Sequence, residues 1–258
     1  MPMYATVSGL AVTPVKSMRL EPVEAIELGE RGAEGNRRFY VINEDGDMVN
    51  GKRFGLLQTV VARCEDGELA LRFPDGGEVR GPIAYGDELA TRFFSRPRAA
   101  RALSGPWSAA LSEYVGAPLR IVDGGSAVDR GRQAAVSLIS AASLRHLAGR
   151  ADTDSVDSRR FRMLVEVEGT EPHEEDDWVG RRVRIGDALV AMHGHVGRCM
   201  VTTRNPETGM VDFPTLKLLA AYRLDHGSEE PLPFGIYGEV LAGGPVRIGD
   251  PVSLDGSG

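Results

Sequence analysis

Apolar and polar positions alternate from Tyr4 to Val12 as a half-buried strand requires, and Pro14 ends the run. Glu21 to Leu28 reads as a second strand, and the glycine-bearing turn Gly29 to Gly35 delivers Asn36-Arg37-Arg38 into the apolar run Phe39 to Ile42. That run is a buried strand, with two arginines at its mouth. Asn43 to Asp47 is a hairpin turn that returns Met48 to Arg53 antiparallel. Leu57 to Cys64, Leu69 to Phe73 and Glu78-Val79 follow as short strands between Asp-Gly and Gly-Gly turns, a spacing typical of a sandwich or barrel.

From Arg96 to Pro106 the composition shifts to Arg, Ala, Ser and Pro and reads as a connector. Ser108 can cap a short helix with Leu111 and Val115 on one face and Gly116 closing it. The strand Leu119 to Val122 and the loop Asp123-Gly-Gly-Ser126 mark a domain boundary, giving domains 1–122 and 123–258. In the second, Ala135 to Ile139 is a buried strand, and Ser140 is the natural N-cap of a helix ending at Gly149. Arg159, Arg160 and Arg162 stand at the entrance of the apolar strand Met163 to Val167. Glu171 to Asp177 reads as a solvated loop, since neighbouring like charges repel. Val183-Arg-Ile-Gly-Asp187 is echoed by Val246-Arg-Ile-Gly-Asp250, a local turn motif used twice. Between them lie an amphipathic helix over Thr215 to Tyr222 and the strand Phe234 to Leu241. The chain is mainly β with a few helices.

Composition narrows the function. The 32 glycines and 15 prolines are spread without a period, as turns among many short strands. A net charge of −7 argues against binding a nucleic-acid polymer. No apolar run approaches the roughly 20 residues that span a bilayer. The N-terminal Met-Pro-Met-Tyr-Ala-Thr lacks the charged head and apolar segment of a signal peptide, so a cytoplasmic protein with no membrane partner is expected. Only Cys64 and Cys199 are present, which excludes a disulfide framework, a zinc finger and an iron–sulfur signature; a metal site must use few protein ligands.

Cys199 stands beside Arg198, and a neighbouring cation favours the thiolate, both a nucleophile and a soft metal ligand. The alternative is a buried, inert cysteine, which is also how Cys64 reads. The hairpin brings the basic clusters Arg37-Arg38 and Lys52-Arg53 near each other, a candidate cradle for a phosphate, and Lys16 and Ser17 in the loop before it read as donors to an anion or, by composition, as a solvated turn. His193, His195 and Cys199 share one strand parity and could hold zinc, but a rise of about 3.3 Å per residue sets the cysteine far from the histidines. No Gly-x-Ser-x-Gly elbow occurs, and a hydrolase pairing Cys199 with His146, His173 or His226 has no positive support.

Widely spaced pieces in order carry a resemblance: Pro14-Val-Lys16-Ser17, Asn36-Arg37, Ile42-Asn-Glu-Asp-Gly46, Met48-Val-Asn-Gly-Lys52, Ser140-x-x-Ser143-Leu144, Arg160-Phe-Arg162, Glu175-Asp-Asp-Trp178, Arg198-Cys-Met-Val-Thr-Thr203, Asn205-Pro-Glu-Thr-Gly209 and Phe234-Gly through Gly249-Asp-Pro-Val252. Over nearly its whole length the chain resembles the MOSC superfamily, in particular the molybdenum enzymes with an N-terminal MOSC β-barrel domain, similar to the mitochondrial amidoxime reducing component. The resemblance implies an N-terminal MOSC β-barrel domain followed by a C-terminal MOSC β-barrel domain, without the membrane anchor or appended iron–sulfur domain of some relatives. It makes Cys199 the catalytic metal ligand. Lys16, Ser17, Arg37, Ser140, Arg162 and Arg198 would contact the molybdenum–pterin cofactor, whose phosphate needs neutralising. The implied activity is an oxidoreductase that takes oxygen from a small N-hydroxylated substrate, with electrons from an external flavin or iron–sulfur protein. Two other readings keep the fold: a sulfur carrier using a Cys199 persulfide, and a binding module for a phosphate compound such as pyridoxal phosphate. The chain departs from the family pattern at Asn36 for aspartate, Gly197 for serine, and Met163-Leu164 for Pro-Asn.

Overall fold

Seven strands close into a ring in the computed structural model, which describes residues 5–224 and 226–256. Around the ring run Val165–Glu168, Val136–Ser140, Pro233–Ala242, Ala188–Gly197, Arg182–Ile185, Pro251–Leu254 and Ala5–Val12, the last pairing back with the first. Every neighbouring pair is antiparallel except Val136–Ser140 with Val165–Glu168. Closure leaves no unpaired edge, and inward side chains fill the barrel. Val136, Leu138, Val165, Val167, Val183, Ile185, Val190 and Ile236 are all fully buried there. Each contributes roughly 1.5–3 kcal/mol by leaving water. Along Ala5–Val12 the buried set slips from Ala5 and Val7 to Leu10, because a bulge between Val7 and Gly9 shifts the register. Tyr4, expected to begin this strand, lies outside the described residues.

A second core lies under two further sheets. The first orders Ala84–Phe93, Arg96–Ser104, Arg120–Asp123, Phe39–Ile42 and Met48–Val49, and the second Val61–Glu65, Glu68–Arg72 and Glu78–Pro82. Trp107 of helix α1 (Trp107–Val115) is fully buried between them, its indole N–H donating to the Leu69 carbonyl at 2.7 Å. Helices α2 (Ala141–Arg150) and α3 (Thr215–Arg223) bury Leu144, Leu147 and Leu219 against Phe161 and Phe234 outside the barrel.

Strands pair across the expected division at residue 122: the barrel of the second half takes Ala5–Val12 from the first, and Gly244–Arg247 pairs with Ala25–Gly29. Several expectations are corrected. Residues 96–104 are a strand, not a connector: Ala100 and Leu103 are buried in two different apolar clusters while Arg96 and Arg101 stay exposed, so pairing with Ala84–Phe93 overrides composition. The two-residue turn Phe94-Ser95 has φ of 48° and 66°, the backbone of a tight hairpin. The run from Leu57 begins as a 3-10 turn, Gly55–Thr59, before the strand at Val61. Ser108 does not cap α1: Pro106 occupies that position, and the Ser108 hydroxyl accepts from the Ile121 N–H at 3.1 Å. The acidic run folds as the 3-10 turn Glu174–Trp178, with Glu175 fully buried.

A fragment of residues 123–258 leaves Val165–Glu168 and Pro251–Leu254 each with one of its two neighbours missing. Its amide NMR spectrum is expected to be poorly dispersed, and joining residues 5–12 to its C-terminus through a flexible linker to restore dispersion; a well-dispersed spectrum from the bare fragment would contradict the barrel as described.

Candidate functional site

The loop that follows Ala5–Val12 is pinned by backbone bonds on both sides. Lys16 N–H donates to the Phe39 carbonyl at 2.8 Å, and Arg37 N–H to the Thr13 carbonyl at 2.7 Å. Asn36 Oδ1 accepts from the Thr13 N–H at 3.0 Å. An aspartate there would offer the same acceptor with a negative charge, so asparagine braces the loop while keeping the surroundings basic. Ser17 and Arg37, with φ of 75° and 49°, both adopt the left-handed region, which costs a non-glycine residue about 1–3 kcal/mol.

Arg162 ends the 3-10 turn Ser158–Phe161 and is also left-handed, at φ 57°. Its Nη2 donates to the Met18 carbonyl at 2.7 Å, and its own carbonyl accepts from Arg37 Nη2 at 2.6 Å. The two arginines and the Lys16 loop are therefore locked together across 125 residues of sequence. Of the other two arginines predicted to share this role, Arg159 pairs with Asp157 and Glu207, while Arg160 reaches the cavity that Cys199 lines with its guanidinium committed to Asp212 through two bonds of 2.7 and 3.0 Å.

Arg198 follows the barrel strand Ala188–Gly197 and is buried. Its Nε donates to the Phe234 carbonyl and Nη1 to the Phe161 carbonyl, each at 2.8 Å, and Nη2 faces the Met163 thioether at 3.1 Å. These bonds fix the backbone that presents Cys199. Cys199 itself is a partly exposed free thiol at the start of the turn Met200–Thr203. Gly197 leaves the room that Glu230 and Pro231 occupy: a Cβ at 197 would meet Glu230 Oε2 at 2.7 Å and Pro231 Cδ at 3.2 Å.

Lys16, Ser17, Arg37, Arg162, Arg198 and Cys199 all line one cavity of about 640 Å³, beneath the Phe93-Phe94 hairpin tip. Among the described residues no histidine lines it. Its electrostatics are lopsided. Burial lowers the Lys16 pKa to about 8, with Arg37 and Arg162 adding repulsion and Asp129 opposing. Burial likewise lowers Arg37, and takes Arg162 and Arg198 to about 9, with further repulsion from Arg37 in both. For Asp129, burial alone would raise its pKa, but Lys16, Arg37 and Arg162 hold it below the usual carboxylate value. Asp129, which bonds Lys16 Nζ, is the main residue sequence reasoning missed; it follows a glycine-rich loop with no motif around it. Two buried cations, Lys16 and Arg198, and two partly buried arginines, Arg37 and Arg162, with the half-exposed carboxylate of Asp129 bonded to Lys16 and a thiol alongside, suit a ligand carrying negative charge and a soft metal.

Ser140 is not on the cavity wall. It caps α2, and its hydroxyl and Ser143's bind the buried Glu175 carboxylate at 2.8 Å each. Burial raises the Glu175 pKa even though the two serines stabilise the anion. His193 and His195 do not join Cys199: His193 lies 3.4 Å from Glu239 and His195 3.4 Å from Asp176. Bulges at Met192/Gly194 and His195/Gly197 break the even parity on which a shared zinc site depended. His146 and His173 stack with Tyr222 behind α2, away from the cavity.

Comparisons with known proteins agree along the chain. The MOSC domain pattern matches residues 124–253, and the MOSC N-terminal beta barrel domain pattern residues 4–117. Mitochondrial amidoxime reducing component 2 of Bos taurus is 32% identical over 289 residues, covering 96% of this chain and 82% of the relative. Mitochondrial amidoxime-reducing component 1 of Danio rerio is 30% identical over 274 residues, covering 95% and 83%. Among solved structures, the YUAD protein from Bacillus subtilis is similar at 12% identity and a TM-score of 0.47, covering 98% of this chain and 97% of that one.

Two expectations follow. Ser140→Ala removes a helix cap and a donor to a buried carboxylate, so it should cost about 1–3 kcal/mol in urea denaturation while leaving cofactor content per folded chain unchanged; a selective loss of cofactor would instead put Ser140 in the cofactor site. Lys16 loses its proton as pH rises through about 8, so sulfate binding to cofactor-free protein should weaken above that pH. Lys16→Arg, which stays charged, should flatten the profile, and an unchanged slope in the variant would exclude Lys16 as the titrating group.

Proposed function

Because this chain belongs to the MOSC family, joining a MOSC N-terminal β-barrel domain to a MOSC domain, we propose that it binds a molybdenum–pterin cofactor in the basic cavity and reduces small N-hydroxylated compounds. The observation that carries this reading is the meeting of Lys16, Arg37, Arg162 and Arg198 with the free Cys199 around one cavity, where Asp129 offsets only part of the buried positive charge. The residues fit such a cofactor: the cations and the Ser17 hydroxyl offer charge-assisted bonds to its phosphate, and the thiolate of Cys199 is the soft ligand that molybdenum favours.

When bound, the cofactor supplies two-electron oxygen-atom transfer, and the protein supplies position and electrostatics. Arg198 acts by positioning, since its bonds to the Phe161 and Phe234 carbonyls hold the chain on which Cys199 rides. Lys16, Arg37 and Arg162 would hold the phosphate and are themselves held by Asp129 and by the Arg162 and Met18 carbonyls. The Phe93-Phe94 tip over Lys16, with ring centroids 5.7 and 5.5 Å from Nζ, shields that end from water. Relatives named for amidoxime reduction support the substrate class, and electrons would come from a separate electron-transfer protein.

The test uses protein made in a molybdenum-replete host, assayed for metal, pterin and reduction of an N-hydroxylated amidine with a chemical reductant. Near-stoichiometric molybdenum and pterin are expected. Cys199→Ala should lower the reduction rate by more than about a hundredfold, a larger effect than removing an outer-shell partner. Undiminished molybdenum and activity in that variant would overturn the role of Cys199, and wild-type protein with neither metal nor pterin would overturn the cofactor reading.

A further inference from the structure

Four of the five histidines gather outside the barrel, beside the strand that leads to Cys199. At the centre of one pair lies Asp176, on the turn Glu174–Trp178, with its side chain 8% exposed. Its Oδ2 accepts from Arg223 Nη2 at 2.7 Å and lies 3.1 Å from His226 Nε2. Its Oδ1 lies 3.4 Å from His195 Nε2, and among the described residues both of these buried atoms lack a hydrogen-bond partner. Buried polar atoms without partners are uncommon, and an ion between them is one of the few physical reasons for the arrangement.

From these contacts we propose that Asp176, His195 and His226 form a site for a divalent transition-metal ion, with zinc or cobalt as the fitting class and a fourth position open to solvent. The ligand atoms lie within 4.8 Å of one another. Bonds of about 2.0–2.1 Å to a tetrahedral ion imply ligand-to-ligand edges of about 3.3 Å, near the 3.4 Å from His195 to Oδ1 and the 3.1 Å from His226 to Oδ2, so a small turn of the exposed His226 ring completes the set. Imidazole and carboxylate donors suit zinc or cobalt better than magnesium or calcium, which take oxygen ligands. Arg223 serves as the outer partner that orients the carboxylate: its Nε is anchored on the Pro233 carbonyl at 2.9 Å, and its hold on Oδ2 leaves Oδ1 to the metal. Its positive charge makes the site weaker than an all-thiolate structural zinc centre.

The site has a place in the architecture. His195 lies in the strand Ala188–Gly197 that delivers Arg198 and Cys199, and His226 opens the segment that reaches Glu230 and Pro231 on the cavity wall. A bound ion would clamp that wall segment to the strand from outside, without entering the cavity. The site stands apart from the molybdenum reading, because none of its three residues lines the cavity.

Full-length protein, stripped with EDTA and carrying Cys199→Ser so that no thiolate competes at the cavity, is titrated with cobalt(II). Absorption in the visible and calorimetry report the binding. One cobalt per chain is expected, with tetrahedral-type bands, no sulfur charge-transfer band, and displacement by zinc. His226→Gln should weaken binding by at least about tenfold, whereas His193→Gln, exposed beside Glu239, should leave it unchanged. Asp176→Asn should act like His226→Gln; where loss of the Arg223 partner prevents folding, His226→Gln on its exposed segment decides alone. No cobalt uptake at millimolar concentration, or uptake unaffected by His226→Gln, would overturn the site.

Discussion

Gathering Lys16, Arg37, Arg162 and Arg198 at one cavity, buried or partly buried, with only the half-exposed carboxylate of Asp129 bonded among them, is the constraint on which the rest of this structure depends. Burying an ion is costly unless its hydrogen bonds and its charge are both answered. Here the two are answered differently. Backbone carbonyls of Met18, Phe161, Arg162 and Phe234 take up the guanidinium N–H groups. Carbonyls satisfy hydrogen bonds without supplying counter-charge, and Asp129 supplies only one. The arrangement holds the cations in place and leaves them short of negative charge, the condition in which an anionic ligand binds most favourably. The left-handed backbone at Ser17, Arg37 and Arg162 belongs to the same device, since it turns these side chains and carbonyls towards one another.

The departures from the family pattern are absorbed by the same neighbourhood. Asn36 keeps the acceptor that the Thr13 N–H needs and adds no negative charge next to the cations. Met163 brings a thioether to Arg198 Nη2. Gly197 admits Glu230, which pairs with Arg130 at the cavity wall. Each change keeps the buried arginines bonded while altering what borders the cavity.

Much of this was legible in the residues. Period-two alternation marked Ala5–Val12 and apolar runs marked the barrel strands that begin at Val136 and Val165, while a glycine-bearing turn marked where Arg37 enters its strand. The family resemblance, not the local pattern, pointed to Cys199, because a cysteine beside an arginine is ambiguous until a cavity surrounds it. What remained hidden depended on distant partners. Residues 96–104 carry the composition of a linker and become a strand only through Ala84–Phe93. Asp129 sits in a loop without a motif and gains meaning from Lys16, 113 residues away. Ser140 was correctly placed as a helix cap, and that capping role, together with Glu175, keeps it from the cavity. Glu175 looked like a solvated charge because nothing adjacent to it shows that Ser140 and Ser143 converge on its carboxylate.

The strand Ala5–Val12 pairs with Pro251–Leu254, and the partners Thr6 and Pro251 stand 245 residues apart in sequence. The Lys16–Ser17 loop hangs directly from that strand. Closing the barrel therefore means completing a contact of very long sequence separation, the kind that forms slowly because so much chain must be ordered first. The basic cavity inherits that delay, and slow closure of the barrel sets the pace at which a prosthetic group can find its cations in place.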